Sequence, residues 1–287
     1  MLRQRYLHAL SAFVLVFSVG CSDTEEPPPR SPFFDRAGVG TLPVTGDYAA
    51  HGPFSVRVVN DTGPDGDYTI FRPTSLGTLN GQPFKHPIAT WGNGTSTVPA
   101  LHAELLSTIA SHGIVVIASN STTVTKQLMT EGLDWMIAQG SVRGDYQGKL
   151  DPSRCASIGY SLGGAGAVDA GSHPNVIATV SMHGLTGNSN LLHGPLLLFA
   201  GGDDSFVSGP GFVTPTFNRS SVQTFYATLT GADHLYPLGD AGDERAPTVA
   251  WLRLWLFGDQ GARPYFYGDD CRLCDSPWVN PQRKNWR

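Results

Sequence analysis

The stretch Cys155-Ala-Ser-Ile-Gly-Tyr-Ser-Leu-Gly-Gly-Ala-Gly-Ala-Val168 joins a short apolar run to a run of small residues through Gly159-Tyr160-Ser161-Leu162-Gly163. A bare Gly-x-Ser-x-Gly arises about 0.3 times by chance in a chain with 34 Gly among 287 residues, so its setting decides its meaning. The setting is strand, tight turn, helix. A serine on such a turn is held at an unusual backbone angle with its hydroxyl at the carboxyl edge of a sheet, and the flanking glycines leave room for the turn. Ser161 therefore reads as a nucleophile rather than an inert turn residue.

Working outward, seven further apolar or β-branched runs recur: 54–59, 68–71, 87–90, 113–118, 178–181, 195–200 and 222–227. With 155–158 they give eight expected strands. The first two alternate as a half-exposed antiparallel pair would, whereas Ile114–Ala118 and Leu196–Ala200 are continuous, as strands buried on both faces require. Helix-like segments at 98–111, 125–139, 164–172 and 247–257 lie between or after them. The expected fold is α/β: a mostly parallel central sheet with an antiparallel N-terminal strand and helices on both faces.

A serine hydroxyl needs a base within hydrogen-bond reach and an acid to orient that base. In the α/β-hydrolase arrangement that the Ser161 turn resembles, the chain order is Ser, acid, His. Only His173, His183, His193 and His234 follow Ser161, and the first three precede any credible acid loop. His234, in Gly231-Ala-Asp-His234 between the last strand and the last helix, is the expected base. The acid should follow the strand 195–200, where Gly201-Gly-Asp-Asp-Ser205 offers two carboxylates. Asp204, further from the strand, is the choice and Asp203 the alternative; Asp233 reads as a turn residue. Two backbone N–H groups should face the developing oxyanion, one from Leu162 and one from Trp91-Gly-Asn-Gly94, with Asn93 favoured and Gly92 next.

Composition sets the frame for this chemistry. Lys+Arg number 19 against 24 Asp+Glu, giving a net charge of -5, which offers no basic surface for nucleic acid. The 4 Cys are too few for a disulfide scaffold and lack zinc-site spacing, so no metal or cofactor is expected. Arg3 and Arg5 precede a 14-residue, mostly apolar stretch ending at Gly20, too short at about 21 Å to span a bilayer and shaped like an export signal. Ser18-Val-Gly-Cys21 resembles a bacterial lipobox, so Cys21 is the expected lipidation site and membrane anchor, with plain secretion or a periplasmic location as the alternative. Residues 1–20 are thus a signal peptide, 21–35 a Pro-rich tether, 36–260 the hydrolase domain and 261–287 a C-terminal extension. In that extension Cys271 and Cys274 are free to pair in an exported protein, while Cys155 reads as a small buried hydrophobe. A monomer is expected.

From about Gly52 to Gly258 the chain resembles the bacterial cutinase and poly(ethylene terephthalate) hydrolase group. The motifs that carry the likeness are Gly52-Pro-Phe-Ser-Val-Arg57, Ser111-His-Gly-Ile-Val-Val-Ile117, Asn120-Ser-Thr122, Gly159-Tyr-Ser-Leu-Gly-Gly164, Phe199-Ala-Gly-Gly-Asp-Asp-Ser205, Gly231-Ala-Asp-His234 and Val249-Ala-Trp-Leu252. The resemblance implies Ser161, Asp204 and His234 as the triad, Asn93 and Leu162 as oxyanion donors, and carboxylic ester hydrolysis without a cofactor. It also implies an aromatic substrate clamp, whose positions here hold Asn93 and Met182-His183. His183, and Trp91 as a replacement for part of that aromatic surface, are the candidate substrate-binding residues, with a buried packing role as the alternative for Trp91. The substrate itself stays open between polyester or cutin and a small-molecule, carbohydrate-acetyl or short-chain lipid ester. A non-catalytic lipoprotein binding module would carry a damaged triad, and none of the three positions is damaged.

Overall fold

The computed structural model describes residues 41–286. The signal peptide, Cys21 and the tether lie outside the described residues. All eight expected runs form strands. The first are β1 (Val56–Thr62) and β2 (Tyr68–Pro73), and a two-stranded ribbon follows, β3 (Thr78–Leu79) against β4 (Gln82–Pro83). Then come β5 (His86–Gly92), α1 (Ala103–Ser111), β6 (Val115–Ser119), α2 (Lys126–Gln139), β7 (Leu150–Tyr160), α3 (Leu162–Ala170) and β8 (Val176–Met182). The chain continues with β9 (Leu196–Gly201), α4 (Thr214–Arg219), β10 (Thr224–Leu229), α5 (Gly242–Phe257) and β11 (Trp278–Lys284).

Among the described residues the main sheet has nine strands in the order β1-β2-β6-β5-β7-β8-β9-β10-β11. From β6 to β10 neighbouring strands are parallel. β2 runs antiparallel to both β1 and β6, and β11 runs antiparallel to β10. Side-chain alternation along each central strand sorts the core into two sides. Ala89, Trp91, Val116, Ala118, Ile158, Phe199 and Phe225 pack with Leu105 and Ile109 of α1 and Trp251 and Leu252 of α5. Ile88, Val115 and Ile117, their neighbours in sequence, pack together with Cys155 against Leu133 and Met136 of α2 on the opposite side. Continuous apolar runs are what a sheet covered on both faces demands.

Three details depart from expectation. β2 is buried throughout rather than half exposed, because it lies between β1 and β6 while β1 takes the edge. α5 begins at Gly242, five residues before the expected Pro247 start, with Asp243 and Glu244 in its first turn, where carboxylates complement the helix dipole. The fold also does not stop at residue 260. The extension bears the Cys271–Cys274 disulfide and then adds β11 to the sheet, burying Phe266, Leu273 and Trp278. Trp-Val-Asn-Pro-Gln-Arg-Lys lacks strand alternation and contains a proline, which only an edge strand tolerates. Among the described residues no helix is long and apolar enough to cross a membrane.

Candidate active site

Because β5, β7, β9 and β10 are parallel, their carboxyl ends meet at one edge of the sheet, and the loops that follow carry the site. Ser161 follows β7 and precedes α3 with φ 56° and ψ −120°, a backbone region that costs an ordinary residue of order 1–3 kcal/mol. The turn is feasible because Gly159 and Gly163 lack side chains: a Cβ on Gly159 would collide with the Gly163 carbonyl, and one on Gly163 with the carbonyl of Gly92. Ser161 is further pinned through its backbone, its N–H donating to the Met182 carbonyl at 3.0 Å and its carbonyl accepting from Leu185 at 3.1 Å.

Ser161 Oγ lies 2.9 Å from His234 Nε2, and His234 Nδ1 lies 2.7 Å from Asp204 Oδ2. Asp204 is buried, and its Oδ1 accepts from the N–H groups of Phe206 and Val207 at 2.9 and 2.8 Å. Those two bonds turn Asp204 inward, while Asp203 is exposed. Burial alone would raise the Asp204 carboxyl, but the bonds from His183, Val207 and His234 outweigh it and hold the group down at about 2. The His234 loop is fixed by the Tyr160 hydroxyl, which donates to the His234 carbonyl at 2.7 Å while its ring lies 5.2 Å from the imidazole. Asp233 is exposed and caps its own turn by accepting from the Leu235 N–H.

The two candidate substrate contacts are corrected by this geometry. Trp91 is fully buried and donates its indole N–H to Asn93 Oδ1 at 2.8 Å, because its place in the β5 alternation aims it at α1 and α5. His183 is likewise fully buried and cannot touch substrate. Its Nδ1 lies 3.1 Å from Asp204 Oδ2 and its Nε2 2.7 Å from Glu244 Oε1. Burial disfavours the charged ring, yet the Glu244 charge and the bonds to Asp204 and Glu244 prevail and raise it to about 9. Glu244 went unnoticed in the sequence; a glutamate in a helix's first turn gives no local signal of burial. The Asn93 side chain also points away from the site, its Nδ2 donating to the Ser119 carbonyl at 2.7 Å. The backbone of the loop nonetheless passes close to Ser161, since a Cβ on Gly94 would come within 3.1 Å of Ser161 Cβ.

His183, Asp204 and His234 bring three ligand-type atoms within 4.8 Å of one another. Both histidine Nδ1 atoms are already directed at the same Asp204 oxygen, so a metal would have to displace the bonds that organise the cluster.

A family model described as PETase, PET hydrolase-like, matches residues 42–274. The chain belongs to the PET hydrolase-like family. Membership makes it a carboxylic ester hydrolase, as the likeness in its motifs implied. Relatives of this PET hydrolase-like chain include Cutinase 1 of Thermobifida cellulosilytica, 28% identical over 227 residues that make up 74% of this chain and 83% of the relative. A cutinase of Thermobifida fusca is 28% identical over 227 residues, 74% of this chain and 72% of the relative. A bis(hydroxyethyl) terephthalate hydrolase of Streptomyces coelicolor is 26% identical over 229 residues, covering 74% and 70%.

Proposed function

We propose that this enzyme hydrolyses polyester-type carboxylic esters through an acyl-enzyme formed on Ser161, with His234 as base and Asp204 as the acid that orients it. The observation that carries the reading is the unbroken chain from Ser161 Oγ to His234 Nε2 at 2.9 Å and from His234 Nδ1 to Asp204 Oδ2 at 2.7 Å. Ser161 Oγ attacks the ester carbonyl as His234 Nε2 takes its proton; the imidazolium then protonates the leaving alkoxide. Water enters, loses a proton to the same nitrogen and releases the acid, restoring Ser161. Asp204 stays ionised and holds Nδ1–H. The oxyanion donors in this reading are the backbone N–H groups of Leu162 and Asn93. Leu162 opens α3, where the first amides of a helix have no intrahelical acceptor, and the Asn93 side chain is locked by its bonds to Trp91 and Ser119.

Polyester as substrate is supported by an apolar rim. Phe206 is 77% exposed with its ring 5.8 Å from that of His234, and Leu235, next to His234 in the chain, is 59% exposed. Cutinases and a bis(hydroxyethyl) terephthalate hydrolase among the relatives point the same way. The test is fluorophosphonate labelling with peptide mapping, together with release from a polyester film and turnover of soluble acyl p-nitrophenyl esters on one preparation. Label on Ser161 and loss of all turnover in Ser161→Ala are expected; label elsewhere would overturn the triad. Turnover of soluble esters with none from film would move the substrate to small esters. Export and lipid attachment at Cys21 belong to the same proposal, resting on Ser18-Val-Gly-Cys21, and mass spectrometry of the mature amino terminus tests them.

A further inference from the structure

Behind the catalytic acid lies a second, fully buried ion pair that ester hydrolysis by a triad does not require. The side chains of His183, Glu244 and Asp204 are all 0% exposed. Burying ionised groups is expensive, and an apolar residue at position 183 would pack at lower cost than a charged one. Among the described residues His183 is the side-chain partner of Glu244, whose Oε2 is buried without one.

The hydrogen-bond ledger of Asp204 gives this pair a purpose. A carboxylate offers about four acceptor sites. Oδ1 takes the N–H groups of Phe206 and Val207, and Oδ2 is shared between the Nδ1 atoms of His234 and His183. His183 thus fills the last site, and a carboxylate held by four donors has one rotation available to it. The ring meets a carboxylate oxygen at each nitrogen, Asp204 at Nδ1 and Glu244 at Nε2, which calls for a proton on both. The charged and titratable groups facing it are Asp204 from the loop after β9, His234 from the loop after β10, with ring centroids 6.3 Å apart, and Glu244 from α5. The Tyr160 hydroxyl, pushed up by burial and by Asp204, Asp233 and Glu244, adds no charge. Nor does that of Tyr236, which burial raises and which bonds Asp243. Arg245, next to Glu244 in the chain, is paired with Asp240.

We propose that His183, pinned as an imidazolium by Glu244, is a positioning residue for Asp204: it fixes the rotation of the carboxylate and keeps it ionised while the other Oδ2 lone pair holds His234. Five side chains, Glu244, His183, Asp204, His234 and Ser161, then form one line from α5 to the nucleophile. The inference rests on the triad reading above. The positive charge on His183 also balances one of two buried carboxylates, so the five side chains carry one net negative charge before the reaction and none once His234 holds the serine proton and Oγ, bonded to the carbonyl carbon, has passed the negative charge to the substrate oxygen.

The first test uses the unaltered protein: nitrogen-15 NMR of the His183 ring at pH 7. Both ring nitrogens protonated is the expected result, and an unprotonated nitrogen overturns the proposal. Glu244→Gln should lower the His183 titration midpoint by at least about one pH unit, and no change would refute the pinning. In His183→Phe, kcat on a soluble p-nitrophenyl ester should fall about 10- to 100-fold with KM within about twofold. The acid limb of its kcat/KM profile should move about one unit to higher pH, because a positive charge near His234 has gone. A merely structural His183 would change thermal stability and leave that profile in place. Ser161→Ala separates the two readings: if it keeps turnover, triad and relay both fall. If it is inactive while His183→Phe keeps the normal kcat and profile, only the positioning role is refuted.

Discussion

Raising the pH from 7 to 10 should destabilise the folded enzyme, and a separable share of that loss belongs to one residue, His183. Its ring sits at about 9 in the folded protein against an ordinary 6.5, since burial is outweighed by the Glu244 charge and by the bonds to Asp204 and Glu244. The folded value is the higher, so the stabilisation is fully present below pH 6.5 and disappears as the pH rises through 9. At about 1.4 kcal/mol per unit the shift corresponds to about 3 kcal/mol, and with the side chain 0% exposed solvent screening does not reduce it. The acid side has the opposite origin. Burial pushes His86, His102 and His112 down to about 4, against the opposing pull of backbone carbonyls. These rings fold neutral, so their contribution is present above pH 6.5 and is lost as the pH falls toward 4, by about 2 kcal/mol for each at pH 5. Stability should therefore peak near pH 7. Urea unfolding followed by tryptophan fluorescence at pH 5, 7 and 10, on the native enzyme and on His183→Phe, measures both limbs. The native enzyme should lose about 2 to 3 kcal/mol between pH 7 and 10 that the variant does not. Parallel alkaline limbs in the two proteins would refute the assignment of a buried imidazolium.

Three further outcomes follow from the geometry. Asp204→Asn should lower kcat about 10³- to 10⁴-fold on a soluble ester, and Asp203→Asn should stay within about twofold; the reverse order in steady-state kinetics would move the acid. Gly163→Ala places a Cβ against the Gly92 carbonyl and should abolish activity with loss of soluble protein or a lowered melting temperature, whereas a normally active variant would show that the turn can relax. Truncation after Tyr267 removes β11 along with the buried Leu273 and Trp278, and should destabilise by about 5 kcal/mol or more in urea titration; an unchanged midpoint would make the extension dispensable.

Local physics determined much of this protein from the sequence alone. The central strands were legible because a strand buried on both faces must be apolar residue after residue, the first two because their sequences alternate, and the Ser161 turn because only glycines fit beside it. Chain order then singled out His234. What the sequence left open depended on contacts between residues far apart in it. Asp203 and Asp204 differ by one position, and the choice between them fell to the amides of Phe206 and Val207, which turn Asp204 inward. Trp91 looked available to substrate until the β5 alternation sent it into the core. His183 and Glu244, 61 positions apart, meet only because α5 packs along one face of the sheet and brings its first turn to the carboxyl end of β8, and β11 is a strand only because β10 offers it an edge. Periodicity and turn chemistry are properties of neighbouring residues; the pairing of buried charges and the filling of a sheet edge are set by register and packing, which exist only once the chain has folded.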